Sequence, residues 1–250
     1  MAVEVLKNAR QVRLVELRHY LAAAEGLGQT AGSVLPFAIP AIDSALPWGG
    51  LPLAALHAVE SAGAGKDGAA AMFLAGILAR LAPARPVLWC LPQADLHAPG
   101  LALAGLAAAR LLLVRVPQER EILWVLEEGL RSRALAAVVG EVDALSIAAS
   151  RRLQLAAENS GVTAFVLQRS GEQAAAASAA VTRWRVAALP SAPAVGEPGI
   201  GQALWRVELL RCRGGMPAAW EVEACNAAGH VALSAALADR PAVRQLRAAG

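Results

Sequence analysis

No apolar run in this chain reaches the ~18–20 residues that a membrane-spanning helix requires. That absence matters, because 56% of the 250 residues are hydrophobic and the mean hydropathy is +0.45. Much of that value comes from alanine. The longest apolar stretch, Leu101 to Val116, is interrupted by Arg110 and Arg115. Met1 to Arg18 alternates charged with apolar residues and lacks the core of a signal peptide, so the expected location is the cytoplasm and no membrane partner is expected. Cysteine is scarce too. Cys90, Cys212 and Cys225 are odd in number and have no Cys-x-x-Cys spacing, which excludes a disulfide framework and a zinc site and leaves three core thiols. His19, His57, His97 and His230 are scattered, and no nucleophile-elbow motif accompanies them. No set of residues reads as catalytic or as a metal site, and there is no internal repeat.

Lysine is nearly missing. Lys7 and Lys66 are the only two among 23 basic residues, and Lys66 stands in a Gly-rich loop. The net charge of +3 is unevenly spread. Residues 1–150 carry 12 basic and 13 acidic side chains, whereas residues 151–250 carry 11 and 7. A mildly basic C-terminal part is compatible with an acidic partner or nucleic acid without demanding either.

What is present reads as an α/β chain. Residues 6–25 show amphipathic helical periodicity, with Leu14, Leu17 and Leu21 on the apolar side, and residues 26–33 form a polar linker. A turn-rich segment, Pro36 to Pro52, follows. Then strands (Leu56–Val59, Val87–Leu91, Leu111–Val116, Leu135–Val139, Val162–Leu167) alternate with helices (Ala69–Leu81, Pro99–Ala109, Arg120–Arg131, Arg151–Asn159). The strands are continuously apolar, which argues for a parallel sheet covered on both faces. After Ser170 the rhythm changes. Arg183–Ala188, Leu204–Arg211, Trp220–Cys225 and His230–Leu233 read as a meander turning at Gly214-Gly215 and at Asn226–Gly229. Gln173–Ala180 is an Ala/Ser-rich loop. The expected organisation is an N-terminal helix and linker (1–33), a core (34–190), and a C-terminal meander and tail (191–250).

The segment Val59-Glu60-Ser61-Ala62-Gly63-Ala64-Gly65-Lys66-Asp67 joins a strand to a helix, the context of a phosphate-binding loop. The full pattern is G-x-x-x-x-G-K-[ST]. Gly65 and Lys66 fit it, with Gly63 between them and the strand. Glu60 replaces the first Gly and Asp67 the Ser/Thr. Both changes add negative charge where phosphates would lie, and Asp67 would need a cation between itself and an anion. The strand that should end in a Mg²⁺-ordering Asp reads Leu135–Val139 and then Gly140, Glu141 and Asp143. After the second strand come Gln93 and Asp95, near the place of a catalytic Glu. The candidate nucleotide-binding residues are therefore Gly63, Gly65, Lys66, Asp67, Glu141 and Gln168. No cofactor is required by the sequence, and ATP with Mg²⁺ is the candidate.

The order of these pieces resembles the RecA core. Ile42-Asp43-Ser44-Ala45-Leu46 before Gly49-Gly50-Leu51-Pro52 is similar to the approach to that family's loop, and Phe165-Val166-Leu167-Gln168 to its strand ending in a nucleotide-sensing Gln. A closer resemblance is to the ImuA family, RecA-like proteins of bacterial mutagenesis cassettes. It is carried by Leu35–Leu56, Arg151–Glu158, Thr182–Val186, Trp205–Leu209 and Arg213-Gly214-Gly215, and it covers residues 34–240. ImuA proteins are similar in turn to the cell-division inhibitor SulA. The resemblance implies a RecA-like P-loop core and a part in SOS-induced translesion DNA synthesis. It implies as partners ImuB, a polymerase-like protein without catalytic residues, an error-prone DNA polymerase, and RecA.

Three readings follow. The first is a non-catalytic assembly factor, a RecA-type frame without a complete ATP site, with Leu14, Leu17 and Leu21 as a docking stripe and homo-oligomerisation open. The second is a binder of single-stranded DNA. Arg151, Arg152 and Arg169 flank the expected DNA-facing loops, and Arg183-Trp184-Arg185 pairs charge with an aromatic ring. The third is an active ATPase that regulates RecA filaments, resting on Lys66 and Gln168. A SulA-like inhibitor of cell division is a further alternative.

Overall fold

The computed structural model describes residues 33–62, 68–169, 178–191 and 201–234. The expected N-terminal helix, with Leu14, Leu17 and Leu21, lies outside the described residues.

Val34–Leu35 (β1) pairs antiparallel with Leu51–Pro52 (β2) and forms a small flap. Within the turn between them, the Asp43 carboxylate accepts hydrogen bonds from the Phe37 and Ile39 amides at 2.7 and 3.2 Å. The Ile42-Asp43 stretch is thus a local clasp.

Nine strands make the main sheet: Leu56–Ser61 (β3), Val87–Leu91 (β4), Leu111–Arg115 (β5), Ala137–Val142 (β6), Thr163–Gln168 (β7), Thr182–Leu189 (β8), Leu204–Cys212 (β9), Ala218–Glu223 (β10) and Ala232–Leu233 (β11). Their spatial order is β11-β10-β9-β8-β3-β7-β6-β4-β5. The strands from β5 across to β8 are parallel, and β8 to β11 are antiparallel. The change of rhythm after Ser170 is this change of strand direction. The chain is therefore an α/β protein with a mostly parallel sheet and C-terminal antiparallel strands, the architecture of a RecA-like core.

Every residue of β3, β4, β6 and β7 is buried, as expected of strands covered on both faces. One face carries Ala69–Arg80 (α1), whose Phe73, Leu74, Ile77 and Leu78 pack with Trp89, Phe165 and Trp184. The other face carries Glu119–Arg131 (α2) and Ile147–Ser160 (α3), whose Ile122, Leu126, Leu130 and Leu153 pack with Leu88, Val138 and Val166. Each such fully buried side chain contributes about 1.5–3 kcal/mol.

Helix ends follow local chemistry. Ser146 caps α3 by accepting from the Ala149 amide, and Gly161, at φ +79°, ends it. Helix α2 has Glu119 and Glu121 in its first turn and Arg131 in its last, each matching the helix dipole. The Arg110 guanidinium donates to carbonyls of Leu78, Ala79, Leu81, Ala82 and Arg85 and so closes the C-terminal end of α1.

Two expectations need correction. The helix expected over Pro99–Ala109 is a short helix, Ala98–Leu101, followed by two 3₁₀ turns. Gly105 breaks it at φ +86°, where a β-carbon would lie 2.7 Å from the Ala227 carbonyl. The strand expected over Leu135–Val139 runs on through Gly140 and Glu141 to Val142.

Candidate functional site

The C-terminal ends of parallel strands are where this architecture binds ligands. Here β3, β6 and β7, the loop after β4 and the start of α1 surround a cavity of about 410 Å³. Ser61, Asp95, His97, Glu141, Gln168 and Arg169 supply its polar wall, and Met72, Leu96, Leu101 and Leu167 much of its apolar wall. Gly63, Gly65, Lys66 and Asp67 lie outside the described residues. Of the six expected nucleotide-binding residues, Glu141 and Gln168 are therefore placed, and both line the cavity.

Strand pleat decides which carboxylate enters. Ala137, Val139 and Glu141 face the α1 side of the sheet, whereas Gly140 faces α2. A carboxylate at position 140 would sit under Leu126, so the Asp expected there has no room. Glu141 is only 3% exposed. Its Oε1 accepts from Trp89 Nε1 at 2.8 Å and its Oε2 from Arg169 Nη1 at 3.2 Å. Burial pushes the Glu141 carboxyl up, against the downward pull of these two donors.

Arg169 also grips Asp95, with Nη1 to Oδ1 at 3.0 Å and Nη2 to Oδ2 at 2.5 Å, a bidentate pair. That hydrogen bonding holds Asp95 below the usual carboxylate range and raises Arg169 above its own. Asp95 is more exposed than Glu141, which is why the two carboxyls shift in opposite directions. Asp95 stays exposed at the surface and is one end of a Trp89–Glu141–Arg169–Asp95 chain.

Glu60, expected to load negative charge onto the loop, is 0% exposed. Arg183 donates to its Oε2 at 2.8 and 3.1 Å, and Arg185 to its Oε1 at 2.7 Å. Arg185 also approaches Glu208 at 3.8 Å. The Glu60 charge is thus spent within the sheet, on the face away from α1.

This bears on the residues expected to meet DNA. Arg183 and Arg185 hold Glu60, Arg169 holds Asp95 and Glu141, and Arg152 pairs with Glu127 of α2 at 2.6 Å. Trp184 is 1% exposed, enclosed by the tilted rings of Phe37, Phe73 and Trp220, and has no face to offer a base. That expectation is corrected by the pleat, which sends Trp184 into the core while its neighbours point out. Arg151 is exposed on α3. The structure does not bring these six residues together into one surface.

Two residues escaped the sequence reading. Trp89 orients Glu141, and the signal available was a Trp in the middle of a buried strand, whose N–H needs a partner. His57 is fully buried on β3, beside Thr182 of β8. Its Nε2 donates to the Pro52 carbonyl at 2.8 Å, which leaves Nδ1 to accept from the Thr182 hydroxyl at 2.7 Å. Thr182 in turn accepts from Trp184 Nε1 at 2.7 Å.

No family model matches the chain. It is 42% identical over 214 residues to Protein ImuA of Caulobacter vibrioides, a match covering 81% of this chain and 87% of that protein, with the same values for strains NA1000 / CB15N and ATCC 19089 / CIP 103742 / CB 15.

Proposed function

The chain belongs to the ImuA family, and from that premise we propose that it is a non-catalytic RecA-like assembly factor in SOS-induced translesion DNA synthesis. The resemblance set out above supplies the process and the partners: a polymerase-like ImuB protein, an error-prone polymerase and RecA. The observation that carries the non-catalytic reading is Glu60. At the position where a phosphate-binding loop opens with Gly, this chain has a fully buried carboxylate clamped by Arg183 and Arg185. Glu60 itself is fixed within the sheet by this charge pairing. Opening Gly residues serve the opposite purpose, close backbone approach to phosphate. Phosphoryl transfer depends on placement of charge, and Glu60, Asp95 and Glu141 are already paired with arginines.

The test is phosphate release from ATP and Mg²⁺, with and without single-stranded DNA. We expect no release above background and no difference between wild type and Lys66→Ala. DNA-stimulated release that disappears in Lys66→Ala would overturn the reading in favour of an ATPase acting on RecA filaments. Direct DNA binding has weaker support, because most of the arginines it would use already hold carboxylates. No observation favours the SulA-like alternative.

A further inference from the structure

P-loop enzymes hold a divalent cation between substrate phosphates and protein carboxylates. The donor set here does not fit one. Among the described residues two carboxylates, Asp95 and Glu141, face the cavity, and each of their four oxygens already accepts from nitrogen. Asp95 Oδ1 and Oδ2 take Arg169 Nη1 and Nη2 at 3.0 and 2.5 Å. Glu141 Oε2 takes Arg169 Nη1 at 3.2 Å, and Oε1 takes Trp89 Nε1 at 2.8 Å. Magnesium needs oxygen ligands at about 2.0–2.1 Å in near-octahedral geometry. A metal shared by these carboxylates would have to lie where the guanidinium lies, and a cation beside it would meet like charge. A guanidinium also cannot be titrated away at any physiological pH.

We propose that Arg169 is a resident counter-ion, occupying the position between Asp95 and Glu141 and so excluding a divalent cation from these two carboxylates. The inference deepens the non-catalytic reading and rests on it. It gives that reading a physical cause that Glu60 alone does not: the site holds a fixed monovalent charge in place of an exchangeable divalent one. Arg169 is a positioning residue here. It holds two carboxylates and does not take part in a reaction.

The measurement is a Mn²⁺ titration of the full chain without nucleotide, followed by electron paramagnetic resonance, in which bound ion loses the signal of free ion. Wild type is expected to leave Mn²⁺ free into the millimolar range. Arg169→Gln, which keeps hydrogen bonding but removes the charge, is expected to bind Mn²⁺ about tenfold or more tightly than wild type. Asp95→Asn added to that variant should abolish the gain, and Arg169→Lys should stay closed. Wild-type Mn²⁺ binding that is lost in Asp95→Asn would overturn the proposal, and this arm needs no Arg169 variant to fold. A folded Arg169→Gln protein that gains no affinity would overturn it as well. Since no nucleotide is present, either result is separate from the ATPase assay. A protein could hydrolyse nothing and still bind Mn²⁺ here.

Discussion

His57 shows at the scale of one residue how burial sets a pH dependence. Its ring is enclosed, and burial lowers its pKa to about 4, against the pull of its bond to the Pro52 carbonyl. In the unfolded chain it titrates near 6.5. The unfolded state therefore takes up the proton first as pH falls. Stability from the neutral ring is fully present above about 6.5 and is lost as pH drops toward 4, by roughly 3 kcal/mol in all. The linked hydroxyl reinforces this, because a protonated Nδ1 would turn the Thr182 contact into donor against donor unless the hydroxyl rotates. We expect urea denaturation of wild type to show this loss between pH 7 and pH 4. His57→Asn should be less stable at pH 7, with a shallower slope across that window. Equal slopes would mean that the carboxylates, and not His57, govern acid sensitivity.

At the scale of the element, β6 and α2 are fitted to each other at Gly140. A β-carbon there would stand 2.5 Å from Leu126 Cδ1 and 3.0 Å from Ile122 Cγ2, both on fully buried side chains. Gly140→Ala should cost about 1–3 kcal/mol by overpacking. Leu126→Ala opens space at the same spot, so the double variant should be less destabilised than the sum of the two. Strict additivity in urea titrations would show that α2 shifts freely on the sheet. The same element shows what the sequence made legible. Continuous apolar runs disclosed the parallel strands and their alternation with helices, because burial on both faces leaves no other pattern. The end of β6 was hidden, since Gly and Glu after an apolar run read as loop, and only the helix above explains the Gly. The Ala-rich stretch 99–109 looked helical by propensity, but packing against the 226–229 turn overrode it. Within the site, Glu141 and Gln168 were legible from their places at strand ends. The bond between Arg169 and Asp95 was not, because 74 residues separate them and only the sheet order makes them neighbours.

At the scale of the molecule, the question is whether the antiparallel strands are an appendage or part of the core. Val207 and Leu209 of β9 and Val222 of β10 belong to the same buried cluster as Phe73 and Trp89, so the apolar interior continues across the change of strand direction. The three cysteines report on this independently. Cys90 lies on β4 in the cluster under α2 and α3, while Cys212 and Cys225 lie in the cluster under α1, near the antiparallel strands. Burial pushes each thiol up to about 12, so at pH 8 none is appreciably thiolate in the folded chain. Reaction with a thiol reagent then requires opening, and it reads the opening locally. A single cooperative core should make all three react together, over the same urea range in which the far-ultraviolet circular dichroism is lost. Early labelling of Cys212 and Cys225, with Cys90 still protected, would show that β9 to β11 detach first. In that event the parallel sheet would stand as its own unit, and the strands beyond β8 would become a separable surface on which an assembly factor could exchange partners without unfolding its core.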